Sequence, residues 1–142
     1  MGDNRQRFER YYGDQETADL AEMHEKFWGD QELKPSMGDR EYLLARCDFI
    51  QEELDELYEA IESGDYPEMI DALVDIVVIC KGSAVLTGVR WRPHWNEVMR
   101  ANNEKKPGVQ AKRPRMKHDL VKPPGWCGPN HLEVLDRYPR KS

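Results

Sequence analysis

From Met69 to Leu86 the chain runs MIDALVDIVVICKGSAVL, apolar on nearly every side. Such a run predicts a helix buried on most faces. Two acids interrupt it. Asp71 and Asp75 are four residues apart, so they share one stripe. A buried ionised carboxylate costs several kcal/mol unless it is paired or binds a metal. Two on one stripe also repel each other.

The preceding segment adds acid rather than base. Leu43, Cys47, Ile50, Leu54, Leu57 and Ile61 recur at alternating steps of four and three, the apolar seam of a helix. Glu53 lies beside Ile50 and Leu57 on that wheel, with Glu52 and Glu56 near the seam. Between Leu43 and Ile61 the one base is Arg46. Gly64 is placed to stop this helix. Asp65, with Glu68 three residues on, is placed to cap the next, and Pro67 is tolerated in a first turn. The result is a helical hairpin that gathers five acids. Divalent cations explain that gathering best, and oxygen-only ligands point to Mg²⁺ or Mn²⁺ rather than zinc. The plain alternative is a solvated acidic face, usual for a run such as EELDELYE. The Asp71/Asp75 pair in an apolar helix weighs against it.

At 142 residues the chain suits one domain with a real core. Its net charge of −6 hides an asymmetry. Residues 1–100 hold 23 acids and 11 bases, whereas residues 101–142 hold 4 acids and 10 bases. The basic end fits an anion, either a nucleic-acid backbone or a nucleotide polyphosphate held over the acidic centre. Cys47, Cys80 and Cys127 are odd in number and far apart, which predicts reduced thiols in a cytoplasmic protein. MGDNRQRFERYYGD has no apolar leader segment. Asp71, Asp75 and Lys81 argue against a membrane span over 69–89.

Along the chain, residues 1–14 read as a flexible N-terminal arm, polar apart from Phe8, Tyr11 and Tyr12. Thr17 is the expected cap of a first helix, ADLAEMHEKFWG, with Leu20, Met23, His24 and Phe27 on one face and Gly29 at its end. GDQELKPSMGD is a loop. Asp39 caps a second helix over about 40–63, and a third covers about 67–87, stopped by Gly88. Pro93 suits the first turn of a fourth, which ends before Pro107-Gly108. Beyond it GVQAKRPRMKHDLVKPPGWCGPNH is rich in Pro, Gly and bases and reads as a lid or short hairpin. HLEVLDRY suits one or two helical turns. The expected fold is all-α: a four-helix core over 15–106, with 107–142 a basic flap and tail of the same domain.

Acids on two facing helices, holding Mg²⁺, suit the binding and hydrolysis of a triphosphate. Lys105, Lys117 and Lys122 are the candidate phosphate grips. No Walker loop or Gly-rich cradle is present, which excludes a P-loop mechanism, and no Ser/His/Asp arrangement stands out.

Five segments, in chain order between residues 18 and 131, carry a resemblance. They are AEMHEKFWG; the EExxE spacing of Glu52-Glu53-Leu54-Asp55-Glu56; Asp75 with its apolar run to Gly82; EVMRANNEK; and HDLVKPPGWCGPNH. Together they resemble the MazG-like all-α nucleoside triphosphate pyrophosphohydrolases, in the dimeric-dUTPase-like and phosphoribosyl-ATP pyrophosphohydrolase-like branch. The resemblance implies a four-helix MazG-like bundle that cleaves a nucleoside triphosphate between its α- and β-phosphates. The substrate implied is dUTP or another non-canonical or surplus nucleotide, with Mg²⁺ as cofactor and Mn²⁺ as substitute. By position, Glu53, Glu56 and Asp75 are implied metal ligands, and Glu52 a further ligand or the group that orients the attacking water. Asn102, Lys105 and Lys122 would contact sugar or phosphates, with Trp126 and His24 near the nucleotide. One departure stands out: the Glu of the usual ExxD motif is Ala72 here. Asp71, about 100° round the helix, is the candidate replacement ligand. Lys81 stands where the branch often has an aromatic, and would serve a phosphate or simply the surface.

The apolar surface of four such helices exceeds what one chain buries, so a homodimer or dimer of dimers is expected. Two other readings compete. One is a non-catalytic nucleotide-binding or oligomerisation module of the same fold, with one metal position emptied at Ala72. The other is a nucleic-acid binder using residues 105–122, against which the Pro-rich composition and acidic centre argue.

Overall fold

Short polar side chains set where the helices begin. The computed structural model describes residues 2–138. In it α1 spans Gly2–Tyr12 and α2 spans Gln15–Trp28. The cap of α2 is Asp14, whose Oδ2 accepts from the Thr17 backbone N–H at 2.9 Å and the Thr17 hydroxyl at 2.6 Å. Thr17, the expected cap, thus lies inside the helix and donates to the capping carboxylate. Asp39 caps α3 (Arg40–Ser63), which ends at Gly64 in the left-handed region, φ +70°. There the Gly64 and Asp65 N–H groups bond back to Ile61 and Ala60 carbonyls. Asp65 in turn accepts from Glu68 N–H and starts α4 (Tyr66–Leu86). These boundaries match the expected hairpin closely.

α5 spans Trp91–Asn103. Two short strands, β1 (Lys106–Pro107) and β2 (Leu120–Val121), pair antiparallel with Lys106 opposite Val121. α6 (His131–Asp136) follows, capped by Asn130. The described chain is therefore mostly helical, with this one hairpin as its strand pair among the described residues, as an all-α fold requires. No helix among the described residues is long and apolar enough to cross a membrane. Cys47, Cys80 and Cys127 are exposed free thiols.

The chain divides into two units, one up to Trp91 and one from Arg92 onward. Nearly all of α5 goes with the C-terminal segment. Side chains explain this. Trp126 Nε1–H donates to the Ala101 carbonyl at 2.7 Å, Arg100 donates to the Gly128 carbonyl at 3.2 Å, and Glu97 accepts from Asn130 N–H at 3.0 Å. Residues 123–130 are laced onto α5.

In the first unit α1 packs on α2, α2 on α4, and α4 along α3. The largest buried cluster is Phe8, Tyr11, Tyr12, Ala18, Leu20, Ala21 and Val85, with Leu33 against it. The expected flexible arm is therefore corrected: residues 2–12 are a helix that supplies three aromatic rings to the core. Tyr11 is tied further by its hydroxyl, which donates to the Gly88 carbonyl at 2.7 Å. Gly88 itself has φ +64°, and a Cβ there would run into the Lys34 carbonyl. Residue 1 of the expected arm and residues 139–142 of the tail lie outside the described residues.

Two expectations for α4 are also corrected. Its buried residues are Ala72, Ile79, Lys81, Gly82, Ala84 and Val85, while Ile70, Leu73, Val74, Val77 and Val78 stay exposed. Among the described residues its main helical neighbours are α3 and α2. Lys81 is neither at the surface nor open to a phosphate. It is 8% exposed, its Nζ 2.8 Å from Asp14 Oδ2 and 3.4 Å from Glu16 Oε1, over the Trp91 ring. It clamps the start of α2 to α4.

Candidate active site

The α3–α4 hairpin places Glu53 and Glu56 across from Asp75 and Asp71. Glu53 is in side-chain contact with Glu56 and with Asp75, and Asp75 with Asp71. Burial pushes the Glu53 carboxyl up to about 7, helped by contact with Glu56 and by the charges of Glu56, Asp75 and Asp71. Burial likewise raises Asp75, reinforced by the charge and contact of Asp71. Glu53 Oε2 is shut off from solvent, and no hydrogen-bond donor reaches it. Its neighbours are acceptors like itself.

That arrangement fits a hard cation. The donors are all carboxylate oxygens, and a sealed oxygen without a donor partner is what a cation would satisfy. Among the described residues no three acids, histidines or cysteines already stand as a ready-made ligand shell. The four carboxylates touch one another in a chain instead. Asp71, rather than position 72, joins that chain; Ala72 is turned inward at 3% exposure.

Arg46 sets the register of the two helices. Its Nε donates to Ser83 Oγ at 2.8 Å and its Nη2 to the Ile79 carbonyl at 3.0 Å. Arg46 precedes Glu53 by two turns of α3, and Ile79 follows Asp75 by one turn of α4. The same contact that locks the helices therefore brings the acids opposite. Gly82 makes room for it, since a Cβ there would meet the guanidinium. The sequence marked Arg46 only as a base; its anchoring role needs the packed hairpin.

The other expected residues are distributed as follows. Glu52 is exposed on α3, and no hydrogen bond or ion pair among the described residues joins it to the four acids. His24 is 3% exposed on α2, edge-on to Trp28 with ring centroids 5.1 Å apart, and its Nδ1 has no partner. Burial, then the charge of Arg46, lowers its pKa and keeps the ring neutral. In the second unit Lys105 and Lys122 stand directly before β1 and directly after β2, so the strand register carries on to set them opposite each other. Both ammonium groups lie over the Trp126 ring, 5.2 and 5.0 Å from its centroid. Asn102, in the last turn of α5, accepts from Lys105 N–H through its backbone carbonyl. This unit thus gathers Lys105, Lys122 and Trp126 into one cationic, aromatic cluster.

A search of curated proteins found no match. A family model described as phosphoribosyl-ATP pyrophosphohydrolase matches residues 20–102. That span takes in α3 and α4 whole, with every acid of the cluster. With its helical fold and the EExxE acids set against Asp75, the chain belongs to the phosphoribosyl-ATP pyrophosphohydrolase family of the MazG-like all-α superfamily, hydrolases of nucleotide phosphoanhydrides.

Proposed function

We propose that this protein is a Mg²⁺-dependent nucleoside triphosphate pyrophosphohydrolase, with Mn²⁺ as a substitute, acting on dUTP or another non-canonical or surplus nucleotide. Water attacks the α-phosphorus, the bridging bond to the β-phosphate breaks, and a nucleoside monophosphate and pyrophosphate leave. The observation that carries the reading is the carboxylate chain Glu56–Glu53–Asp75–Asp71, with half-buried Glu53 and Asp75 at its centre and a sealed, donorless Glu53 oxygen. These four acids are the proposed metal ligands, Asp71 standing in for the Glu absent at Ala72. A bound divalent cation would neutralise charge on the leaving phosphates. Glu52 and Glu53 are the proposed catalytic pair: Glu52, free on the exposed side of α3, orients the attacking water, and Glu53 secures the metal end. Lys105 and Lys122 neutralise phosphate, Asn102 contacts the sugar, Trp126 stacks near the base, and His24 offers its unpartnered Nδ1. The proposed setting is the cytoplasm.

The proposed assembly is a homodimer or dimer of dimers. It is supported by a 350 Å³ apolar groove between α2 and α4, lined by Leu20, Leu73, Val74, Val77 and Val78. A stripe this apolar on a monomer would be an aggregation liability.

Incubation with a panel of standard and modified nucleoside triphosphates and Mg²⁺, read by pyrophosphate release, tests the reaction. Pyrophosphate with one or a few of them is the expected result. Orthophosphate alone, or tight nucleotide binding without turnover, would replace the hydrolase reading with a binding module of the same fold.

A further inference from the structure

Outside the acidic hairpin, the second unit brings two histidines together that are 37 residues apart in sequence. His94, in the first turn of α5, and His131, the first residue of α6, point their Nδ1 atoms at each other across 2.8 Å. The ring centroids are 5.0 Å apart, with planes tilted by 36°. Both rings rest on anchored backbone. Asn130, next to His131, donates its N–H to Glu97 Oε1 at 3.0 Å and accepts from Glu133 N–H at 3.0 Å. Glu97 lies one turn beyond His94 and is itself held by Arg100 at 2.9 Å.

We propose that His94 and His131 form a two-imidazole site for a late first-row divalent cation, of the Zn²⁺ or Ni²⁺ class. At 2.8 Å there is room between the nitrogens only for a shared proton, so one ring donates and the other accepts. A cation bonded to both at about 2.0–2.1 Å and near the tetrahedral angle requires nitrogens roughly 3.3 Å apart. Opening by about half an ångström is within reach of side-chain rotation, and His131 is exposed. The donating ring gives its Nδ1 proton to water and takes one from water at Nε2, so the tautomer change releases no net proton. Among the described residues no third acid, histidine or cysteine completes a shell, so water fills the remaining positions.

Ligand chemistry separates this site from the acidic hairpin. Imidazole nitrogen favours zinc, nickel and copper, while an all-carboxylate site favours magnesium and manganese. Excess Mg²⁺ therefore occupies the oxygens and leaves the nitrogens open. The site does not depend on the proposed hydrolysis.

Calorimetric titration of the full chain with NiCl₂, in excess MgCl₂ at neutral pH, tests it. The expected result is one saturable site that weakens at least tenfold in both His131→Gln and His94→Gln and persists in Glu53→Gln. Cys127→Ser serves as the thiol control. Unchanged binding in either histidine variant overturns the proposal, as does the absence of a saturable site. So does loss of binding in Glu53→Gln or Cys127→Ser. His131 is exposed, and unchanged circular dichroism of its variant keeps the test one of binding rather than folding.

Discussion

The two ends of α4 live in different surroundings. Its C-terminal end, around Val85, is sealed among Phe8, Tyr11, Tyr12 and Ala21, with Lys81 paired to Asp14. Its N-terminal and middle turns carry Ile70, Leu73, Val74 and Val77 at the surface, beside four mutually repelling acids. One helix therefore holds the unit together at one end and is left unsatisfied at the other. The proposed cation and the proposed second copy would both act at this end, on its carboxylates and its apolar stripe. Stability and chemistry are segregated along a single rod.

The contrast can be broken at several points. Glu53→Gln or Asp75→Asn is expected to lower pyrophosphate release at least a hundredfold while leaving helicity intact, because each removes a proposed ligand and not a core side chain. Full activity in either would take that residue out of the site. The same variants sharpen the comparison through pH. Between its ordinary value of 4.5 and about 7, the folded chain holds a Glu53 proton that the unfolded chain has released. Metal-free stability should therefore fall as pH rises across that window, and Glu53→Gln should flatten the fall. A denaturant midpoint that does not change over this range would contradict the repulsion.

At the sealed end, Phe8→Ala should cost about 3–5 kcal/mol, the usual loss for a fully buried aromatic, read as a drop in denaturant midpoint. A cost below about 1 kcal/mol would return α1 to the status of a loose arm. Lys81→Met removes the ammonium that pairs with half-buried Asp14 and should cost up to about 3 kcal/mol, the low end for breaking a buried pair, since Thr17 still donates to Asp14. Burial alone would raise the Asp14 pKa, but the hydrogen bonds from Lys81 and Thr17 prevail and hold it below 3.8. This contribution is therefore present above pH 3.8 and lost as pH falls through the lowered value, and the variant should lose that acid limb. The smallest effect on the isolated fold is expected from Val74→Asp: within about 0.5 kcal/mol for an exposed site. If a second copy covers the stripe, light scattering should nevertheless show a smaller particle.

Much of this was readable in the chain. Asp39, Gly64 and Asp65 fixed the hairpin boundaries because capping is local, set by residues within one turn. The acids of the hairpin were legible because helical spacing places i and i+4 together wherever the helix goes. α1 was missed although Phe8, Tyr11 and Tyr12 stand at i, i+3 and i+4. Its polar background masked three rings whose burial depends on α2 and Val85. Lys81 was misread because Asp14 and Glu16 lie more than sixty residues away. The pairing of His94 with His131 and the anchoring by Arg46 likewise depend on distant segments meeting.

The sequence by itself determined the two hairpin helices, their stops and starts, the family, and the acidic stripe on each arm of the hairpin. These rest on local periodicity and backbone chemistry. Only the tertiary structure decided which acids touch, that Asp71 meets Asp75 while Ala72 turns inward, that Lys81 is a clamp, and that half of α4 stays uncovered. Those outcomes turn on long-range packing and on like charges brought close together, where a neighbour's position rather than its identity sets the energy.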